Sequence, residues 1–338
     1  MFKTRNKHLL RLFSLVFALL IFTLTVNAKS WSGEEVYLGG YPFGLRIDTD
    51  GVFVVDVSEV DSTIGRVSPA KDADIRAGDV ILTLNGKKVD TVEEVSDTIS
   101  SSHGKRLTLE IKRNGSKITK NLIPVLTSDK SGYKSGLWIK DDTAGIGTVT
   151  YFLGDKESFG GLGHGICDRA TLEVLPLREG TVHKANITSV QKGNSELPGE
   201  LKGTFDPENS GQLLKNTEKG VFGKFDNAFE SLTKIQVGNK LDVKTGECTV
   251  YSTLSGTTPV AISAQISRII DKNSSTKNFL IKITDKKVLE KTGGIVQGMS
   301  GSPIVQNGKL VGAVTHVLMH DQSYGYGIFI ENMLTEAE

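Results

Sequence analysis

The sequence predicts a mainly β protein. From residue 134 onward, the apolar residues come in short segments punctuated by glycine, which is typical of strands. Asn-Gly pairs at Asn114-Gly115 and Asn307-Gly308 each stand between two apolar segments, as in a tight hairpin. The longest predicted helix covers only residues 90–100. Many short strands with little helix favour a pair of β-barrels or a β-sandwich for the C-terminal part.

The composition is that of an ordinary globular protein. The chain has 338 residues, of which 38% are apolar, enough for two domains with hydrophobic cores. Its 40 basic and 39 acidic side chains give a net charge of +1, so no nucleic-acid partner is predicted. Cys167 and Cys248 form no disulfide framework, although one bridge between them is feasible outside the cytoplasm. No residue pattern predicts a metal or another cofactor.

Residues 1–28 are predicted to direct export. A basic start is followed by an apolar run over residues 12–26, and Val26-Asn27-Ala28 offers small residues for cleavage. The run is shorter than the roughly 20 residues that a transmembrane helix needs. The segment is therefore either a cleaved signal peptide or a retained membrane anchor.

Residues 36–126 carry the pattern of a separate, smaller domain. Residues 68–82 combine a short helix, a Gly-Asp pair and a buried strand, and a turn follows at Asn85-Gly86. In the helix over residues 90–100, Thr91 and Glu94 make a capping box. This order of elements resembles a PDZ domain. The polar residues 127–133 then form a linker to the domain at 134–338.

The resemblance to PDZ domains implies a peptide ligand. Such domains add an extended peptide as a strand beside a carboxylate-binding loop. The glycine-rich residues 39–47 stand in the position of that loop, which makes Phe43, Gly44 and Leu45 the candidate peptide-binding residues. The peptide comes either from a partner protein or from this chain itself, docking in cis.

The stretch at residues 292–316 has the composition of a nucleophile loop. Its centre is Gly-Met-Ser-Gly-Ser-Pro, residues 298–303, followed by a predicted hairpin. A nucleophilic serine needs an exposed hydroxyl on a tight turn and backbone N–H groups that face the developing oxyanion. Glycine at 298 lets the N–H groups of Gly298 and Ser300 turn to one side, and Gly301 relieves crowding. Ser300 is therefore the predicted nucleophile; the alternative is an ordinary glycine-rich surface turn.

Two histidines are candidates for the base that activates this serine. His164 has glycines on both sides, at residues 163 and 165, which leave its ring uncrowded. His316 ends the hairpin after the serine and continues an apolar run, which favours a structural role. We therefore predict His164 as the base. Cys167 is an alternative nucleophile beside His164, but it lacks the glycines that surround Ser300.

A carboxylate that orients the base is harder to assign. Asp285 follows a predicted strand and begins a short helix, so it is also well suited to cap that helix. Asp168 lies soon after His164 and is equally suited to bind the backbone of its own loop. Spacing alone does not choose between them.

Three stretches closely resemble the SpoIVB peptidase family, PDZ-containing serine peptidases of spore-forming bacteria. They are GGLGHGICD at 160–168, ITDKKVLEKTGGIVQGMSGSPIVQNGKLVGAVTHV at 283–317 and YGYGIFIENML at 324–334. The resemblance covers roughly residues 35–338. It implies that His164 and Ser300 are catalytic and that Asp285, rather than Asp168, is the family aspartate. It also implies a chymotrypsin-like double β-barrel at 134–338, preceded by the PDZ domain.

The resemblance further implies a biological setting. Members of this family act between the two membranes around a developing spore, cleave themselves, and cut a membrane-associated regulatory protein so that a sigma factor is activated. The expected function is an exported sporulation serine endopeptidase. The alternative is a non-catalytic PDZ adaptor that binds the tail of a membrane protein.

Overall fold

The computed structural model describes residues 31–167, 172–194 and 197–337. The predicted signal peptide or anchor at 1–28 and the candidate Asp168 lie outside the described residues. Within the described ranges, no helix is both long and apolar enough to cross a membrane.

Strands dominate the described residues, which confirms the prediction of a mainly β fold. The early strands are β1 (Glu35–Leu38), β2 (Pro42–Val57), β3 (Val60–Ser62), β4 (Gly65–Val67), β5 (Val80–Leu84), β6 (Lys87–Lys88), β7 (Leu107–Arg113), β8 (Ser116–Leu122), β9 (Val125–Leu126) and β10 (Tyr133–Lys134). The later strands are β11 (Leu137–Phe152), β12 (Ser158–Gly161), β13 (Leu177–Gln191), β14 (Glu200–Thr217), β15 (Gly220–Phe225), β16 (Lys234–Val237), β17 (Gly246–Ser252), β18 (Val260–Ile269), β19 (Phe279–Ile283), β20 (Pro303–Gln306), β21 (Lys309–Val317) and β22 (Tyr324–Phe329). The helices are α1 (Pro69–Asp72), α2 (Val92–Ser100), α3 (Lys286–Thr292) and α4 (Ile330–Leu334).

The first β-barrel is closed. Its hydrogen-bonded neighbours follow the order β2, β13, β14, β15, β12, β11 and back to β2, and every pair is antiparallel. Apolar side chains from alternate positions fill its interior because successive residues of a strand face opposite sides. The core includes Phe43, Val149, Phe152, Val182 and Phe225, all fully buried.

The second β-barrel is closed as well. Its order is β17, β18, β19, β22, β21, β20 and back to β17, again antiparallel throughout. Strand β16 pairs with β21 of the second barrel, in parallel, and with β1. Because β1 pairs in turn with β11 of the first barrel, β1 and β16 connect the two barrels. At the hairpin between β20 and β21, Asn307 and Gly308 both have positive φ, as predicted for a tight turn. Two closed barrels confirm the double-barrel fold.

The PDZ domain has its own hydrophobic core. Strands β5, β7 and β8, the second half of β2, and helices α1 and α2 surround buried residues such as Val54, Ile81, Val95 and Leu109. The capping box predicted at the start of α2 is present.

The boundary predicted for the PDZ domain differs from the structure. The first half of β2 lies in the first barrel, where Phe43, Gly44 and Leu45 pair with β11 on one edge and with β13 on the other. A strand with both edges paired has no free N–H or C=O groups to add a peptide. The prediction of a carboxylate-binding loop at these residues is therefore wrong. The local sequence suited either role, and the long-range pairing decided between them.

The linker predicted at residues 127–133 also differs. Tyr133 pairs with Leu126 between β9 and β10, and the start of β11 pairs with the second half of β2. Leu137 and Ile139 pack against the PDZ core. The PDZ domain is thus an insertion in the first barrel. It begins with the second half of β2 and ends with the first half of β11, and it is not a module that precedes the barrels.

Candidate active site

The serine loop lies between α3 and β20 and is held by the first barrel. The Thr148 backbone N–H donates to the Ser300 carbonyl at 2.9 Å, and the Thr148 hydroxyl donates to the Gly298 carbonyl at 2.7 Å. The Thr150 hydroxyl donates to the Gly301 carbonyl at 2.7 Å. Both threonines are buried on one face of β11. The strand of one barrel therefore fixes the loop of the other.

Glycine is required at position 301. Its φ is 93°, a left-handed conformation that favours glycine, and a Cβ there would clash with the Thr148 carbonyl and with the backbone of Leu162. Gly298 also has a positive φ, of 97°. The predicted role of these two glycines in shaping the turn agrees with this geometry.

Within residues 298–302, two backbone N–H groups have no acceptor among the described residues. The N–H groups of Met299, Gly301 and Ser302 donate to carbonyls within 3.1 Å, whereas those of Gly298 and Ser300 donate to none. Gly298 is buried. Because a buried N–H group without an acceptor is rare and costly, such a pair next to a serine is suited to receive an oxyanion.

The Ser300 hydroxyl points to the neighbouring strand. It donates to the Thr315 carbonyl at 2.5 Å. The Thr315 hydroxyl in turn donates to the Tyr326 carbonyl, which ties β21 to β22. Before Ser300 can transfer its proton to a base, the hydroxyl must turn away from Thr315.

The structure brings the His164 loop to this serine. Leu162 lies beside Gly301, and a Cβ at Gly163 would lie 3.0 Å from the Thr315 side chain. His164, half-buried, follows directly. The loops that carry the predicted base and the predicted nucleophile therefore meet at Thr315.

Hydrogen bonding selects the tautomer of His164. Its Nδ1 lies 2.8 Å from the Gly165 carbonyl oxygen, which can only accept, so Nδ1 carries the proton and Nε2 is left with a lone pair. Burial lowers the pKa of His164, the Gly165 hydrogen bond partly opposes that shift, and the charge of Lys277 adds to it. The imidazole is thus favoured in the neutral form that a general base needs.

Asp285 makes a different contact from the one that the resemblance implies. Its Oδ1 accepts hydrogen bonds from the backbone N–H groups of Lys287 at 3.0 Å and Val288 at 3.1 Å, and so caps α3. Asp285 follows the C-terminal end of β19, whereas Lys277, which influences His164, precedes its start. A strand of 5 residues spans about 17 Å. No hydrogen bond or ion pair joins Asp285 to His164 among the described residues.

His316 is the neighbour that the sequence did not assign. Its ring centroid lies 4.4 Å from that of His164, with 35° between the ring planes. The sequence presented His164 and His316 as competing candidates for the base, and the structure places them side by side. The threonines at 148, 150 and 315 were also missed; the only signal was the alternation of Thr148 and Thr150 on one strand face.

The PDZ domain has a groove at a different place from the residues predicted to bind a peptide. It lies between α2 and residues 133–139 and is lined by Ile99 and Trp138, among others. Residues 137–140 pair with β2 on one edge, and no strand of the described residues pairs with their other edge. Gly136 precedes this edge with a φ of 78°, and a Cβ there would clash with the Ser58 carbonyl.

Comparisons with known structures show only distant similarity. The PDZ domain of the SdrC-like protein from Listeria monocytogenes matches with 24% identity and a TM-score of 0.23, over 27% of this chain and 87% of that one. The Rv3671c protease from M. tuberculosis matches with 15% identity and a TM-score of 0.32, over 57% and 72%. Human heparin binding protein matches with 14% identity and a TM-score of 0.30, over 52% and 78%.

Family models give a direct assignment. The PDZ domain model matches residues 60–113, within the inserted domain. The model for SpoIVB peptidase S55 matches residues 131–334, which include His164, the loop of Ser300 and every barrel strand except β2. With its double barrel and its PDZ insertion, this chain is a serine peptidase that belongs to the SpoIVB peptidase S55 family.

Proposed function

We propose that Ser300 cleaves peptide bonds through an acyl-enzyme, with His164 as the general base. The Ser300 hydroxyl leaves the Thr315 carbonyl and attacks the substrate carbonyl while its proton passes to Nε2 of His164. His164 then returns that proton to the leaving amine, and water repeats the sequence to release the acid. The Gly165 carbonyl holds Nδ1–H in place throughout.

The observation that carries this proposal is the pair of N–H groups without acceptors at Gly298 and Ser300. They are available for the oxygen that becomes negative when Ser300 attacks. Removal of one such donor typically costs about 3 kcal/mol of transition-state stabilisation. Asp285 enters the proposal through α3, because it caps the helix that leads into the serine loop.

The test compares two serines of the same loop. The full chain and its Ser300→Ala and Ser302→Ala variants are treated with a serine-directed phosphonate and with a peptide substrate. Ser302 is a matched control because its buried hydroxyl bonds to Ser252 at 2.9 Å. We expect Ser300→Ala to lose both labelling and hydrolysis, and Ser302→Ala to keep labelling. Labelling of Ser300→Ala would point to another nucleophile and reject the proposal.

For the biological role, we propose an exported sporulation endopeptidase. Its site of action would be the space between the membranes around the forespore, with residues 1–28 as signal peptide or anchor. Its substrate would be a membrane-associated regulatory protein whose cleavage leads to sigma factor activation, and it would also cleave itself. The family assignment and the N-terminal sequence support this proposal.

For the PDZ domain, we propose that an extended segment of that substrate adds as a strand to residues 137–140, beside α2. The unpaired strand edge and the neighbouring groove support this placement. Main-chain hydrogen bonds would supply affinity, and the side chains of Ile99 and Trp138 would contact alternate residues of the peptide.

A further inference from the structure

Two imidazoles, not one, stand beside the proposed nucleophile. The rings of His164 and His316 are 4.4 Å apart between centroids and inclined by 35°. His316 directly follows Thr315, whose carbonyl accepts the hydrogen bond from Ser300. One short piece of β21 therefore contacts both the nucleophile and the base.

A β-bulge gives His316 this position. Val314 pairs with Gly327 and Val317 pairs with Gly325, so Thr315 and His316 together oppose Tyr326 alone. An extra residue of this kind bends a strand and re-aims a side chain, and bulges are frequent next to active sites. The bulge lets two consecutive residues make these contacts: Thr315 accepts the hydrogen bond from Ser300, and His316 packs beside His164.

The surroundings of His316 favour its neutral form, mainly through burial. Burial lowers the pKa of His316 strongly, and the proximity of His164 and then of Lys277 lowers it further, although part of the His316 side chain remains exposed. The other titratable groups nearby are Tyr326, on which Lys277 lies, and Cys167, which shares the Gly165 carbonyl with His164. No carboxylate is among the groups that influence His164 or His316.

One hydrogen bond does not fix the plane of an imidazole. The bond from Nδ1 to the Gly165 carbonyl leaves the His164 ring free to swing about that contact. A flat ring packed against its face removes this freedom. His316 supplies a ring beside that of His164, with 4.4 Å between the two centroids.

We propose that His316 is a positioning residue for His164: its ring packs on the base and holds Nε2 toward Ser300. This inference rests on the proposed function, in which His164 is the base.

The test uses three variants of the full chain: His316→Ala, His316→Phe and, as a control, His320→Ala. His320 is exposed in the turn between β21 and β22. A base misplaced by about 1 Å can cost roughly 10²-fold in rate, so we expect His316→Ala to lower kcat by about that factor with little change in KM. Phenylalanine keeps a flat ring, so His316→Phe is expected to stay within roughly tenfold of the wild type. His320→Ala should be unchanged.

The pH profile separates positioning from mere folding. Water that replaces the ring in His316→Ala relieves part of the burial of His164, so the acid limb of kcat/KM should move to higher pH, whereas in His316→Phe it should stay. Wild-type kcat and acid limb in His316→Ala would overturn the inference, as would equal losses in both His316 variants.

Failure of the proposed function would be visible separately. It would appear as a wild-type chain that neither hydrolyses peptide nor reacts with the phosphonate. NMR titration of the His164 ring then decides the inference by itself. A pKa of His164 that rises in His316→Ala and not in His316→Phe supports the packing role, and a pKa that is the same in all variants overturns it.

Discussion

Asp285 offers the sharpest test of how the base is oriented. In the structure, a single carboxylate oxygen accepts two backbone hydrogen bonds at the start of α3, at 3.0 and 3.1 Å. Asparagine has the same oxygen and caps helices as well as aspartate does, whereas alanine cannot cap. Replacement by asparagine and by alanine therefore separates the capping role from a catalytic one.

The magnitudes differ widely between the two roles. Loss of a cap costs about 0.5–2 kcal/mol of helix stability, and asparagine forfeits only the charge at the helix N-terminus, about 0.3–1 kcal/mol. We expect kcat/KM of Asp285→Asn to stay close to the wild type and that of Asp285→Ala to fall moderately, because α3 leads into the serine loop. If Asp285 instead oriented His164, asparagine would lower kcat by roughly 10⁴-fold.

The assay is peptide hydrolysis together with the midpoint of thermal unfolding. Asp271→Asn is the matched control, since Asp271 also accepts a backbone hydrogen bond, from Asn273 at 2.8 Å, at an exposed turn. A capping role predicts that activity follows stability across the set. If kcat of Asp285→Asn fell a thousandfold or more while the melting temperature stayed unchanged, our reasoning would be refuted. Asp285 would then be the residue that orients His164.

Two further predictions concern pH and the PDZ core. Because the pKa of His164 is lowered, the base stays neutral below the ordinary value of 6.5, so the acid limb of kcat/KM should lie under pH 6.5; a limb above it would contradict the geometry. Arg113→Met leaves Asp79, which is 1% exposed, without its guanidinium and should cost about 3 kcal/mol or more in urea unfolding. Lys117→Met, which breaks only the exposed pair with Glu110, should change little, and equal effects would count against the buried pair.

Much of the fold was predictable because local signals agreed with it. Hairpin turns at Asn114-Gly115 and Asn307-Gly308 and the capping box of Thr91 depend on neighbouring residues alone, and all are present. The placement of residues 42–48 failed for the opposite reason. Their sequence suits a PDZ loop and a barrel strand equally, and only pairing with β11 and β13, about 100 or more residues away, separates the two.

The residues of the candidate site also fall into those that local sequence predicted and those that it did not. The glycines at 298 and 301 made the serine loop predictable, because their backbone conformations are ones that glycine alone adopts readily. The neighbourhood of His316 left no comparable signal, since a bulge depends on which residues the partner strand presents. The sequence suggested two roles for Asp285, capping a helix and orienting His164, and in the structure it caps α3.

The inserted PDZ domain begins and ends at neighbouring positions of the first barrel. Asp48 and Asp142 are partners in the register of β2 and β11, so the chain leaves the barrel and returns to it at neighbouring positions. Residues 49–141 could be exchanged for a short turn, and the two strands would then form a plain hairpin with the barrel's closure intact. The same geometry means that the domain is joined to the barrel by two adjacent, antiparallel strands, which restrict its swinging more than a single linker would.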